Sequence, residues 1–256
     1  MKFNEIEEQL RDIPHISAKR GRILYDLIIK NKNTKILELG FAHGTSTCYI
    51  AAALDEIGKG EIITIDNLTA KKRKPNIHQL LENNNLHKYI LPIFANKSYN
   101  WELMKIIEQQ TKDGVCTPIF DFCFIDGAHS FETDGLAFFL ADKLLKPGSW
   151  LLFDDYYWTY GKSPSLKKTK FVKAMAEDEK TMPQIKQVFE LLVRQHQNYT
   201  DLKLFDDWAW ARKKQDENDN SVFISEIEEI YKNADLFEEQ PRTKSVLKKI
   251  KRKLIR

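Results

Sequence analysis

The sequence predicts a doubly wound α/β fold: a seven-stranded sheet of five parallel strands and a closing antiparallel hairpin, with helices on both faces. Three observations predict it. Short apolar runs alternate with helical patterns from residue 35 to 155, the signature of a parallel sheet covered on both faces. Two further apolar runs, Asp201–Phe205 and Trp208–Arg212, flank the turn pair Asp206-Asp207 and read as an antiparallel hairpin. At 256 residues and 42% hydrophobic, the chain can bury the core that such a sheet needs.

The elements follow in order. An amphipathic opening predicts helices near 4–11 and 17–31. Strands are expected at Lys35–Leu39, Glu61–Ile65, Tyr89–Phe94, Phe120–Ile125 and Trp150–Phe153, with helices near 45–57, 75–85, 98–111 and 131–145 between them. Pro147-Gly148 is expected to stop the fourth of these helices, because proline cannot continue a helix and glycine accepts positive φ. Beyond Asp155 an aromatic and basic stretch, Tyr156 to Lys170, interrupts the alternation and leads into helical patterns near 167–177 and 183–197. One domain is expected over 1–212, with N-terminal helices at 1–31 and an insertion at 156–180. Residues 213–256 read as a helical appendage, acidic then basic. In it Ser225-Glu226-Ile227-Glu228 resembles a capping box, and Val246, Leu247, Ile250 and Leu254 form one apolar stripe.

Composition narrows the function classes. No apolar run approaches the roughly 20 residues that cross a bilayer, and the start MKFNEIEEQLRD is charged, so a cytoplasmic enzyme is the expectation. Cys48, Cys116 and Cys123 are odd in number and set among apolar residues, as buried reduced thiols would be. The net charge of +3 is a property of the tail: eight Lys/Arg and no acid lie from Arg242 onward, leaving −5 for the rest. A nucleic-acid-binding body would instead carry its basic residues on one face of the fold. The basic helix at 244–256 suits peripheral contact with an anionic membrane face or packing in a homo-oligomer.

Four stretches carry chemistry. Ile36-Leu37-Glu38-Leu39-Gly40 is a buried strand running into a glycine turn that ends at Gly44, and Thr45-Ser46-Thr47 opens a helix whose N-terminus and backbone amides can face a ligand. Asp66 closes the second strand, where an acid at the carboxyl edge can accept both hydroxyl hydrogens of a ribose. The fourth strand ends in Asp126, with His129 three residues on, and the fifth ends in Asp154 and Asp155. Acids delivered to one spot by adjacent strands repel unless a cation neutralises them, and three oxygen donors suit Mg²⁺ or Mn²⁺.

Together these stretches resemble the class I S-adenosylmethionine-dependent methyltransferases, a Rossmann-like fold. They are similar in particular to the small-molecule O-methyltransferases related to catechol O-methyltransferase and to the family-24 methyltransferases of natural-product and sugar pathways. The resemblance covers about residues 20–212. It implies S-adenosylmethionine as cofactor, its methionine end at Glu38, Gly40, Gly44 and Ser46, its ribose at Asp66 and its adenine near Asn96 and Ser98. It implies a metal site at Asp126, Asp154 and Asp155. Two positions depart from the family pattern. Ala42 replaces the middle glycine of the usual turn, as is common in the catechol-type branch. His129 stands where catechol-type enzymes place a lysine base, and Ala128 where some sugar-modifying relatives place an acid.

The expected function is therefore metal-assisted O-methylation of a small-molecule acceptor, a sugar or nucleotide-sugar of surface-polysaccharide or natural-product biosynthesis. His129 and Asp126 are the catalytic pair, neutral His129 taking the hydroxyl proton near pH 7. Tyr156, Tyr157, Trp158 and Tyr160 are expected to line the acceptor, with Lys162, Lys167, Lys168 and Lys170 placed to meet phosphate. A metal-independent methyltransferase of a small metabolite and a noncatalytic scaffold remain open beside it. An NAD-dependent oxidoreductase would need a second glycine at Ala42 or nearby, and the closing hairpin argues against it.

Overall fold

A computed structural model describes residues 1–215 and 224–239. Five parallel strands, β1 (Lys35–Leu39), β2 (Glu61–Asn67), β3 (Ile90–Ala95), β4 (Phe120–Ile125) and β5 (Leu145–Phe153), are followed by the hairpin β6 (Tyr199–Phe205) and β7 (Trp208–Lys213). Their order across the sheet is β3-β2-β1-β4-β5-β7-β6. β1 to β5 pair in parallel, and β7 runs antiparallel to both β5 and β6. The central strands are buried on both faces, which is why β4 can read Phe-Asp-Phe-Cys-Phe-Ile without polar alternation.

Register sets the site. Leu39 of β1 pairs with Ile65 of β2 and with Ile125 of β4, and Ile125 pairs with Phe153 of β5. Gly40, Asp126 and Asp154, each the residue after one of these, therefore leave the sheet side by side, in line with Asp66, which is still within β2 and pairs with Phe94 of β3. The chain runs outward in opposite directions from β1 and β4, so the carboxyl-edge crevice opens between them, where ligands of open α/β sheets bind.

Helices α1 (Phe3–Leu10), α2 (Ala18–Asn31), α3 (Thr45–Ile57) and α4 (Ile77–Asn84) pack on one face, around Ile23, Leu27, Leu54 and Trp210. Helices α5 (Tyr99–Gln110) and α6 (Phe131–Leu144) cover the other, around Leu103, Phe138 and Phe153. Ser17 caps α2 and Ser130 caps α6 through their hydroxyls, as polar N-caps do.

Several expectations are corrected. α6 ends at Leu144, before Pro147-Gly148, and these two residues instead lie in a bulge of β5, where the pairing jumps from Phe120–Leu145 to Phe122–Trp150 and Gly148 takes φ +82°. The single helix expected near 167–177 is two five-residue helices, α7 (Lys170–Ala174) and α8 (Glu177–Thr181). The pattern near 183–197 begins as α9 (Gln184–Gln187) and continues as a π-helical stretch over Val188–Val193. A small hairpin, Thr111–Lys112 with Val115–Cys116, turns on Asp113-Gly114, both at positive φ. Cys48 and Cys123 are buried, Cys116 only partly, and all three are free.

Of the expected appendage, the structure describes residues 213–215 and one helix. Helix α10 (Ile224–Glu239) buries Ile227, Ile230, Tyr231 and Ala234 in the α2 face of the core. The expected cap at Ser225 and the basic stripe from Val246 to Leu254 lie outside the described side chains and residues. No helix among the described residues is long and apolar enough to cross a membrane.

Candidate active site

The floor of the site is a buried acid. Glu38 has no exposed surface, and its carboxylate accepts hydrogen bonds from the hydroxyls of Ser46, Thr47 and Thr64, each at 2.5 Å. Burial pushes the Glu38 carboxyl up to about 7, against the pull of the three hydroxyls, and Asp66 adds repulsion. Glu38 and Ser46 thus bond to each other beneath the turn, so the surface offered to a ligand is the backbone above them.

That backbone is tightly placed. Gly40 has φ +91°, and a Cβ there would stand 1.9 Å from the Asp126 carbonyl oxygen. Gly44, at φ +94°, opens α3 and faces Ile77. Between them Ala42 adopts φ +46°, a left-handed conformation that costs a non-glycine residue about 1 kcal/mol.

Asp66 reaches back over this turn. One of its oxygens accepts the amides of Phe41 at 3.0 Å and Ala42 at 2.7 Å, and the other accepts the amide and side chain of Asn67 at 2.6 and 2.9 Å. The outer wall is made by His43, whose Nδ1 meets the Pro75 carbonyl at 2.6 Å, and by His15, stacked on His43 at 5.3 Å. Asn96 is exposed beyond β3, and Ser98 is partly buried at the N-cap of α5. Phe94 packs beside them against Phe41 and His78, with the Lys71 ammonium 4.8 Å from its ring centre.

The second half of the site is acidic. Asp126 is held well above the usual carboxylate range by burial first and then by Asp154 and Asp155. Asp154 and Asp155 are each pushed up to about 6, again chiefly by burial. His129 places Nε2 3.5 Å from Asp155 and 4.0 Å from Asp126, and burial lowers its pKa. Asp155 joins two sets whose ligand atoms lie within 4.8 Å of one another: Asp126 with His129, and Asp154 with Asp207. The expected trio Asp126, Asp154 and Asp155 is not itself such a set, because Asp154 turns to the Arg20 guanidinium at 2.9 Å and to the Asp155 amide at 2.7 Å.

Two tyrosines fix the loop that carries His129. The Ala128 N–H donates to the Tyr99 hydroxyl at 3.2 Å, and the Tyr160 hydroxyl donates to the Ala128 carbonyl at 2.8 Å. Tyr99 in turn donates to Asp134, which is fully buried and also accepts the Ser130 amide at 2.9 Å. Clamped in this way, His129 takes φ +56° and packs its ring against Trp158 at 5.1 Å. Asp155 has φ +59°.

The four aromatics after Asp155 separate into two kinds. Trp158 and the exposed Tyr157 are available to an acceptor, whereas Tyr156 and Tyr160 are buried, Tyr156 donating to Glu190 at 2.6 Å. Arg20, Asp207, Tyr99 and His43 are absent from the sequence-derived set. Asp207 reads locally as a turn residue, and Arg20 meets Asp154 across 134 positions, so neither carries a local signal.

Residues 37–156 match the model of methyltransferase family 24, described as a methyltransferase domain. No curated protein matches the chain in sequence. Among solved structures, the O-methyltransferase of Bacillus cereus in complex with SAH is 20% identical, covering 83% of this chain and 90% of that one, with a TM-score of 0.56. TomG of Streptomyces achromogenes, an O-methyltransferase involved in tomaymycin synthesis and seen with SAM, is 19% identical, covering 83% and 89%, with a TM-score of 0.53. MycE of the mycinamycin biosynthetic pathway, seen with Mg and SAH, is 14% identical, covering 87% of this chain and 57% of that one, with a TM-score of 0.55. In strand order this chain has the fold of these solved structures, and within it lies the stretch that matches a methyltransferase domain. Its matched family-24 stretch runs from Leu37 in β1 to Tyr156 beyond β5, and so contains the turn, Asp66 and the acidic loops.

Proposed function

We propose that the chain is an O-methyltransferase whose acceptor is a sugar or nucleotide-sugar hydroxyl, worked on beside a divalent ion. The observation that carries this reading is the convergence of the Gly40–Gly44 turn and Asp66 with Asp126, His129, Asp154 and Asp155 at one sheet edge.

S-adenosylmethionine supplies a sulfonium methyl: its C–S bond breaks as the C–O bond forms, and the acceptor hydroxyl proton must leave. The turn amides and the N-terminus of α3 would hold the cofactor's methionine end, and Asp66 its ribose. Four donors already fill the Asp66 carboxylate, so holding ribose exchanges the Phe41 and Ala42 amides for the sugar hydroxyls. Asn96 and Ser98 stand at the adenine end. His129, kept neutral by burial, can accept the hydroxyl proton on Nε2, the atom facing Asp126 and Asp155. Trp158 and Tyr157 offer aromatic faces to the acceptor ring.

The donor set fits Mg²⁺ or Mn²⁺: carboxylates whose charged forms burial and mutual repulsion disfavour gain most from a cation. Asp155 would be the shared ligand, with Asp126 on one side and Asp154 and Asp207 on the other. Such an ion lowers the pKa of a bound hydroxyl and orients it.

One observation favours a second reading, a metal-independent methyltransferase. Arg20 already brings a positive charge to Asp154, and with it part of the neutralisation an ion would supply. Calorimetric titration of S-adenosylhomocysteine, with and without Mn²⁺, followed by methyl-transfer assays on nucleotide sugars, separates the two. Metal-assisted transfer predicts at least about a hundredfold loss of rate with chelator and a similar loss in Asp155→Ala. Unchanged turnover in both would leave the metal-independent reading standing. Asp66→Ala is expected to weaken S-adenosylhomocysteine about a hundredfold, the loss of two charge-assisted hydrogen bonds.

A further inference from the structure

The outer face of the α5 and α6 layer is apolar where solvent favours charge. On α6 the outward positions are Glu132, Leu136, Phe139 and Lys143, with Leu136 50% and Phe139 44% exposed and both charged residues open to solvent. Beside them α5 presents Trp101 and Met104, 58% and 36% exposed. The two helices start level, since the Asn100 side chain donates to the Thr133 carbonyl at 2.9 Å and Tyr99 donates to Asp134. Met104, four residues after Asn100, therefore stands level with Ala137, four after Thr133, and next to Leu136 and half-buried Leu140. A single exposed leucine is ordinary, but apolar side chains continuous across two helices mark an interaction surface.

The charges that end the stripe point to its occupant. Successive members of the α6 stripe are four, three and four residues apart, a spacing that reads the same from either end. The pair Leu136 and Phe139 and the pair Glu132 and Lys143 are both centred between Ala137 and Phe138. A two-fold axis through that point lays α6 antiparallel on α6 of a second copy, and in such an isologous contact each pairing occurs twice. Leu136 then faces Phe139 of the partner subunit at the centre, and Glu132 faces Lys143 of the partner subunit at both ends. Among the described residues neither Glu132 nor Lys143 has an ion pair within its own chain. The stripe is about 16 Å long at the α-helical rise, a length over which near-antiparallel helices stay in contact. A surface of one sign, such as anionic lipid headgroups, would attract one end of the stripe and repel the other.

We infer that this face is the interface of a homodimer, built on antiparallel α6 helices about a two-fold axis, with Trp101 and Met104 at its rim. The interface braces the reaction edge from outside: α6 opens at Ser130, and its Asp134 accepts from Tyr99, which holds the loop that carries His129. The assignment stands on the outward side chains of α5 and α6 and is independent of the methyltransferase reading.

The test is sedimentation equilibrium of the full chain over a wide range of concentration, at low and high salt. The parent is expected to dimerise, and to dissociate on dilution and more readily at high salt. Leu136→Glu sets an unpaired charge at the centre of the interface and is expected to weaken association at least about a hundredfold. Lys143→Glu makes both end pairs repulsive and is expected to weaken it about tenfold, as is Glu132→Lys. The double variant Glu132→Lys/Lys143→Glu restores opposite signs and is expected to recover most of that loss. Leu236→Glu, exposed on α10 across the sheet, serves as control and is expected to dimerise as the parent does. All these positions are exposed, so each variant is expected to keep the parent's far-ultraviolet circular dichroism. A parent that stays monomeric at every concentration, or a dimer that Leu136→Glu leaves intact, would overturn the interface. A double variant that recovers nothing of what the single charge reversals lose would overturn the antiparallel two-fold arrangement.

Discussion

At the scale of single residues, the glycine turn makes two opposed predictions. Ala42 pays a left-handed conformation that glycine adopts freely, so Ala42→Gly is expected to raise stability by about 1 kcal/mol, read as a higher denaturant midpoint. Gly40→Ala is expected to prevent folding or displace β4, since its Cβ would overlap the Asp126 carbonyl. Glu38 adds a pH dependence. In the fold its carboxyl titrates at about 7, above its ordinary 4.5, so folding favours the protonated form. Its stabilising contribution is full below about pH 4.5 and is lost as pH rises through 7, a difference of about 3 kcal/mol for one buried group. Glu38→Gln cannot titrate. Its melting temperature relative to the parent is therefore expected to improve from about pH 5 to pH 8, and a constant difference across that range would contradict the assignment. The identity of these residues was legible in the sequence; their partners were not. Glu38, Gly40 and Asp66 announce a turn by type and spacing, but that Asp66 holds the turn amides, or that Asp154 turns to Arg20, depends on contacts formed only when distant elements meet.

At the scale of elements, the parallel strands were legible because each is an apolar run long enough to bury both faces, and β1 and β4 have the bounds expected of them. The segment 156–193 was not. Its short helices and π-helical stretch follow from packing around Tyr156, Tyr160 and Phe189, and no helical period in the sequence encodes that packing. The Asp113-Gly114 turn, by contrast, carries a recognisable hairpin signal. The loop between β4 and α6 depends most on this tertiary context. Ala128 is held from both sides, and Tyr160→Phe removes the donor to its carbonyl while keeping the ring. We expect a stability loss of about 1 kcal/mol and a larger effect on kcat than on KM, because the loop orients His129. Tyr99→Phe is expected to cost more, about 2 kcal/mol, since it also withdraws a donor from buried Asp134. A purely structural tyrosine pair would lower stability without changing the pH profile of turnover. A shift of the His129 limb of that profile marks the positioning role.

At the scale of the whole molecule, α10 ties the C-terminal part of the chain to the reaction edge. Its buried Ile227, Ile230, Tyr231 and Ala234 lie against α2, and the Tyr231 hydroxyl accepts the Trp210 indole N–H at 3.1 Å. Lys30 to Glu229 and Lys19 to Asp235 bridge α2 and α10 along the outside. α2 in turn carries Arg20, whose guanidinium lies 5.0 Å from the Trp208 ring centre and pairs with Asp154. The helix therefore packs on the element that brings positive charge to the acidic cluster. Ile230→Ala is expected to cost about 2–5 kcal/mol, the range for emptying a buried aliphatic site, and Leu236→Ala, exposed on the same helix, less than about 0.5 kcal/mol. If α10 also steadies Arg20, Ile230→Ala will lower turnover at temperatures where the chain remains folded, by a margin that Arg20→Met abolishes. Thermal denaturation and turnover measured on the two single variants and the double variant decide this. Additive losses would confine α10 to stability, and a coupled loss would place it within the architecture of the reaction edge.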